Sequence, residues 1–162
     1  MKTIIYKNKY FNKLGLLLCD YFKETLKDNY RGTLEIALSY ISTIVDNKYM
    51  IYLVVNDEDE VVGFTTLYIH TMNGFMKRQL VIDHMYVIPE YRRTKATMWL
   101  YATIGNVMDK LQLPSIGTTF VDSANKGNNR LVGGKVIAEV TTFNIDSVKS
   151  KFNKYMKGLR CL

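Results

Sequence analysis

The chain has 162 residues, 48% hydrophobic and 23% charged, and a net charge of +7. That length and balance suit one globular domain with a sizeable core. No apolar run reaches bilayer-spanning length, and two prolines leave no Pro-rich linker. The start, MKTIIYKNKY, lacks the long apolar stretch of a secretory signal, and Cys19 and Cys161 fit no metal or redox spacing. A soluble protein of a reducing, cytoplasmic compartment is therefore expected, or one packaged in a larger assembly. The positive balance favours an acidic partner: a nucleotide-like cofactor, a nucleic acid or an acidic protein surface. A Lys-rich solvated surface accounts for the charge as well, and no nucleic-acid-binding motif is recognised.

In chain order, Thr3 to Tyr6 reads as a strand. Phe11 to Leu26 reads as a helix, with Leu14, Leu17, Leu18, Tyr21, Phe22 and Leu26 on one stripe and Gly15 as a blemish. Asn29 to Gly32 breaks the pattern, and Leu34 to Val45 is a second amphipathic helix. Tyr49 to Val55 and Val61 to Ile69 are rich in β-formers, joined by the polar Asn56 to Glu60 as a hairpin turn. A second turn spans Thr71 to Met76, and Gln79 to Ile88 is the next strand. Thr94 to Leu111 is a helix with Leu100, Ile104, Val107, Met108 and Leu111 at helical spacing, followed by a strand from Ile116 to Val121. Beyond it come a short helix near Asn128 to Leu131, a strand from Val136 to Phe143 and a Lys-rich helix from Ile145 to Gly158. Hairpins early and helical crossovers later imply an α/β domain around a mixed sheet. Residues 1–144 form that domain, and 145–162 a basic C-terminal helix or tail.

One stretch carries the chemistry. An apolar run from Val81 to Ile88 stops at Pro89, turns through Tyr91-Arg92-Arg93-Thr94-Lys95 and enters a helix. A helix start presents free backbone N–H groups and the positive end of its dipole, and three cations beside it make an anion cradle.

This order of elements, with this loop after the fourth strand, resembles the GNAT superfamily of acetyl-CoA-dependent N-acetyltransferases. Three segments carry the resemblance: Glu60-Val61-Val62-Gly63-Phe64, Met85 to Arg92 in the form L-Y-V-x-P-x-Y-R, and the Asn-containing Asn125 to Gly134. The chain also resembles divergent GNAT-like proteins carried by phage genomes. The resemblance implies an acyl-CoA N-acyltransferase fold, a mixed central sheet flanked by helices, with the C-terminal helix as an addition. It implies acetyl-CoA as cofactor and an amine-bearing small molecule or protein as acceptor, with no membrane partner.

It also implies a site. The family's loop has the form R-x-x-G-x-G/A, and its backbone N–H groups take the CoA pyrophosphate. Here Arg92 leads, Lys95 falls on the first glycine and Thr97 on the second, with Arg93, Thr94 and Ala96 between them. A side chain at a glycine position obstructs close approach of a ligand to the backbone. Backbone at Met85, Tyr86 and Val87 would bond the acyl arm, and Asn125 and Asn128 would line the CoA arm or serve as turn and cap residues. Asp83 would be the base that takes the amine's proton, or a polar residue at a sheet interruption. His84, next along the strand, is expected on the opposite face. Val132 stands where the family places a proton-donating Tyr, so Tyr86, Tyr91 or Tyr101 would have to replace it. Met98-Trp99 would pack on the cofactor or in the core. The alternative is a GNAT-fold protein without catalysis, serving as a structural, virion-associated or inhibitory protein-binding module, or a nucleic-acid binder using Arg92, Arg93, Lys95 and the tail lysines.

Overall fold

The computed structural model describes residues 1–26, 32–72 and 77–117. Strand β1 (Lys2–Ile5) leads through a short 3-10 turn at Asn8–Tyr10 into helix α1 (Phe11–Leu26) and helix α2 (Leu34–Asp46). Strands β2 (Met50–Val55), β3 (Val61–Met72) and β4 (Lys77–Val87) follow. A 3-10 turn at Pro89–Tyr91 then precedes helix α3 (Ala96–Leu111) and strand β5 (Ser115–Gly117). The five strands form one sheet in sequence order, antiparallel from β1 to β4 and parallel between β4 and β5. This is the mixed sheet expected of the α/β class. Of the turn expected over Thr71 to Met76, the first two residues instead extend β3, paired with Arg78 and Lys77. Residues 73–76, the end of the expected 116–121 strand, the expected helices at 128–131 and 145–158, the strand at 136–143 and the boundary at residue 144 lie outside the described residues.

The helices cover both faces. Leu14, Leu17 and Leu18 of α1 and Ala37, Ile41 and Ile44 of α2 bury their stripes against Leu53, Val55 and Phe64 of the sheet. Thr33 caps α2, its hydroxyl accepting from the Ile36 N–H. Gly15, a blemish as a helix former, has a packing reason: a Cβ there would lie 2.6 Å from Leu38 Cδ2 and 3.0 Å from Leu34 Cδ1 on α2. On the other face Ala96, Leu100, Ile104 and Val107 of α3 pack on Val54, Val62, Val87, Leu67 and Leu80. The Asn56 to Glu60 run is a turn. The Asn56 side-chain oxygen accepts the Glu58 and Glu60 N–H groups at 3.0 and 2.9 Å, and Asp59 adopts a positive φ of 59°. No helix among the described residues is long and apolar enough to cross a membrane.

Two irregularities shape the middle of the sheet. Val62 is an extra residue opposite Val54 and Val55, and Asp83 is an extra residue opposite Thr66 and Leu67. Such bulges re-aim side chains. At the second, the fully buried Thr65 and Thr66 supply the missing partners. Thr65 donates to the His84 carbonyl at 2.9 Å, and Thr66 Oγ1 accepts the His84 N–H at 3.1 Å.

Candidate active site

The bulge corrects one expectation. Strict alternation would put Asp83 and His84 on opposite faces of β4, but the extra residue brings both to the face covered by α1 and α2. His84 Nδ1 lies 3.1 Å from Asp83 Oδ2 and 3.0 Å from Thr66 Oγ1. Tyr40, from α2, donates its hydroxyl to the same Asp83 oxygen at 3.0 Å. The His84 ring is crossed nearly perpendicularly by Tyr21, Phe22 and Tyr40, with centroids 5.2 to 5.7 Å away. Such edge-to-face contacts hold a ring in one orientation.

The electrostatics follow from this arrangement. Partial burial works to raise the Asp83 pKa, but the His84 bond and charge and the Tyr40 hydroxyl outweigh it and hold the carboxyl below its ordinary value. Burial first, then the Asp83 charge and bond, push the Tyr40 hydroxyl far above its usual range, so it stays a donor. Burial, and secondarily the Asp83 charge, raise Tyr49 as well.

Tyr86, two residues on, is buried on the same face, its ring 6.0 Å from Tyr21 and 6.1 Å from Phe64. Burial and then the Glu24 charge raise its hydroxyl pKa against an opposing pull from Arg92. Of the three tyrosines considered as proton donor, only Tyr86 stands beside Asp83 and His84. Tyr91 accepts from the Asn56 side chain at the β2–β3 turn at 3.1 Å, and Tyr101 packs in the α3-side core with Leu67 and Leu80. Met85 and Val87, with the intervening alternation, face α3.

The loop after β4 is pinned at its lead residue. Arg92 Nε donates to the Val87 carbonyl at 2.8 Å, the guanidinium pairs with Glu24 of α1, and it lies over the Tyr86 ring at 5.4 Å. Arg92 therefore ties the loop to the end of β4 and to α1. Thr94 donates to the Tyr91 carbonyl at 2.7 Å and accepts the Ala96 N–H at 3.2 Å, closing the turn that opens α3. Arg93, Thr94 and Lys95 are exposed, Thr97 is half-buried and Ala96 is buried. Lys95 sits at φ −70° and ψ −4°, a backbone conformation open to any residue, so its departure from glycine brings no strain. What changes is the bulk and charge beside the helix start. Met98 and Trp99 are 62% and 41% exposed, which corrects a core placement for either.

Beside the Arg92 contact, an open groove of about 740 Å3 runs between α1 and the end of β4. Lys13, Asp20 and Glu24 line one wall, and Tyr86, Ile88 and Glu90 the other. The described β4–β5 pairing covers Leu80 to Ile82, and the stretch bearing Asp83, His84 and Tyr86 follows it. Asn125, Asn128 and Val132 lie outside the described residues.

Reading the sequence missed Glu24, Tyr21, Tyr40 and Thr66. Tyr21 and Tyr40 sit on apolar stripes, Thr66 in a β-rich run and Glu24 on the exposed side of α1, where nothing local marks them, and only packing brings them to β4.

Taken together, the antiparallel β1–β4 meander, two helices on one face, the bulged fourth strand and the cationic entry to α3 define an acyl-CoA N-acyltransferase fold. The chain belongs to the acetyltransferase (GNAT) family, whose model matches residues 16–133. Among solved structures, it is similar to one described as a probable acetyltransferase, with 20% identity over 90% of this chain and 97% of that one, at a TM-score of 0.73. It is also similar to the ribosomal-protein-alanine N-acetyltransferase of Brucella melitensis biovar Abortus 2308, with 12% identity over 90% and 100% of the chains and a TM-score of 0.71. A third is the aminoglycoside antibiotic 6'-N-acetyltransferase of Acinetobacter haemolyticus, with 14% identity over 89% and 97% and a TM-score of 0.69. At these identities the likeness is one of fold. No curated protein matches the chain.

Proposed function

We propose that the chain transfers an acetyl group from acetyl-CoA to a primary amine. The observation that carries this reading is the convergence, within Asp83 to Lys95, of a group that can handle the amine's proton, a buried phenol and a cationic helix entry. Asp83 and His84, braced by Tyr40, form the pair suited to the amine's proton. Tyr86 supplies a hydroxyl held in its protonated form, suited to a departing thiolate. The first turn of α3, with Arg93 and Lys95 exposed beside it, suits the pyrophosphate of the donor. The acceptor is an amine on a small molecule or on a protein.

A second reading, a non-catalytic protein-binding module, is favoured by Lys95 and Thr97 at the loop's two small-residue positions. Calorimetric titration with acetyl-CoA, followed by thiol release on a panel of amines, separates the two. Saturable binding with turnover supports the transferase, and no binding at millimolar ligand supports the module.

A further inference from the structure

We propose that His84, through Nε2, takes the proton from the acceptor amine, and that Asp83 is its positioning residue and not the base. This rests on the acetyltransfer reading and assigns the proton-accepting atom within it.

An ionised carboxylate only accepts, so the 3.1 Å approach of Asp83 Oδ2 to His84 Nδ1 favours the tautomer that carries its hydrogen on Nδ1. The Thr66 hydroxyl, 3.0 Å from the same nitrogen, already accepts the His84 backbone N–H and can share the Nδ1 hydrogen as a second acceptor. The neutral ring then has its lone pair at Nε2. Among the described residues Nε2 has no hydrogen-bond partner, although the side chain is only 11% exposed. A histidine kept for packing spends both nitrogens when buried. This one spends Nδ1 on a carboxylate and, among the described residues, keeps Nε2 free, the arrangement that makes an imidazole a base.

Asp83 is the poorer acceptor. Its Oδ2 takes both His84 and Tyr40, and its charged form is stabilised by them. Among the described residues, the titratable groups around the ring are Asp83 on β4, Tyr40 on α2 and Tyr21 on α1. Burial first raises both tyrosines, so they stay neutral and Asp83 supplies the charge opposite the imidazolium.

In the step itself, an N–H bond of the acceptor ammonium breaks, the pair stays on nitrogen and the proton moves to Nε2. The freed pair forms the C–N bond at the thioester carbonyl of the acyl-CoA. The C–S bond breaks with its electrons on sulfur, the thiolate takes a proton from Tyr86 or water, and the second proton that the nitrogen sheds on becoming an amide replaces it. His84 returns its proton to solvent, leaving an amide, a free thiol and one released proton.

The chain has two histidines, His70 and His84, so long-range proton–nitrogen correlation spectra read each tautomer directly. Neutral His84 should show hydrogen on Nδ1, and Asp83→Asn should shift it toward the Nε2–H form while His70 stays unchanged. A wild-type Nε2–H tautomer overturns the proposal. In turnover assays, H84Q should lower kcat by about 100-fold or more with the acetyl-CoA Kd unchanged, the scale of general base catalysis. D83N should lower kcat less and move the pH profile. Undiminished kcat in H84Q overturns the role of His84 alone. Absence of both acetyl-CoA binding and turnover in the wild type overturns the acetyltransfer reading and the catalytic role with it, and leaves only the tautomer assignment standing.

Discussion

Arg92 and Glu24, 68 positions apart, form an ion pair that ties the loop after β4 to α1. The residue that leads the loop is thus already partnered by a carboxylate, while its Nε holds the Val87 carbonyl. Glu24→Gln removes the competing charge and leaves the backbone contact. It should tighten acetyl-CoA binding about two- to fivefold, on the scale of an exposed charge contact. Arg92→Ala loses the loop's tether and should weaken binding beyond that. Calorimetry on the two variants at one salt concentration checks both. Weaker binding in E24Q would mean that the pair builds the site instead of competing with it.

The depressed Asp83 pKa fixes the sign of an acid dependence. Its folded value lies below its unfolded value of about 4, so its contribution to stability is complete above that pH. It is lost as pH falls through the lower folded value. The melting-temperature gap between wild type and Asp83→Asn should therefore be widest near neutrality and shrink below about pH 4. A gap that widens with acid would contradict the placement of Asp83 against His84 and the Tyr40 hydroxyl.

Gly63 faces the strand that carries the site. A Cβ there would lie 2.8 Å from the Tyr86 carbonyl oxygen and 3.1 Å from Val87 Cγ2, and the first of these is backbone. Gly63→Ala should cost about 1–3 kcal/mol in urea unfolding, the range for overpacking a well-filled interior. It should also weaken acetyl-CoA binding, because relief requires β4 to move at Tyr86. Wild-type stability in G63A would show that the β3–β4 spacing is softer than its register implies.

Much of this was legible in the residues, for identifiable reasons. The stripe from Leu14 to Phe22 defines α1 at its observed bounds, Phe11–Leu26, because apolar spacing and burial coincide there. The apolar run ending at Pro89 marks the end of β4 for the same reason. The start of α3 shifts from Thr94 to Ala96 because the Thr94 hydroxyl is spent on the Tyr91 carbonyl and the Ala96 N–H. The Asp83–His84 pairing was not legible, since alternation assumes an unbroken ladder and one extra residue inverts it. Nor was the Glu24 contact, which depends on where α1 crosses β4 and leaves no local trace.

Lys95 tests whether the loop's departure from glycine weakens the cofactor cradle. Its αR conformation means that Lys95→Gly relieves no strain and acts only by removing side-chain bulk and one charge. Tighter acetyl-CoA binding in K95G, by several-fold, is expected if bulk dominates. Weaker binding with a shallower salt dependence would mean that Lys95 itself holds the anion.

Isothermal titration of the whole chain with acetyl-CoA reads whether this fold takes the donor at the β4–α3 loop. Saturable one-to-one binding is expected, weakened at least tenfold by Arg92→Ala, about 1.4 kcal/mol. No heat up to millimolar ligand, or binding indifferent to Arg92, would contradict it.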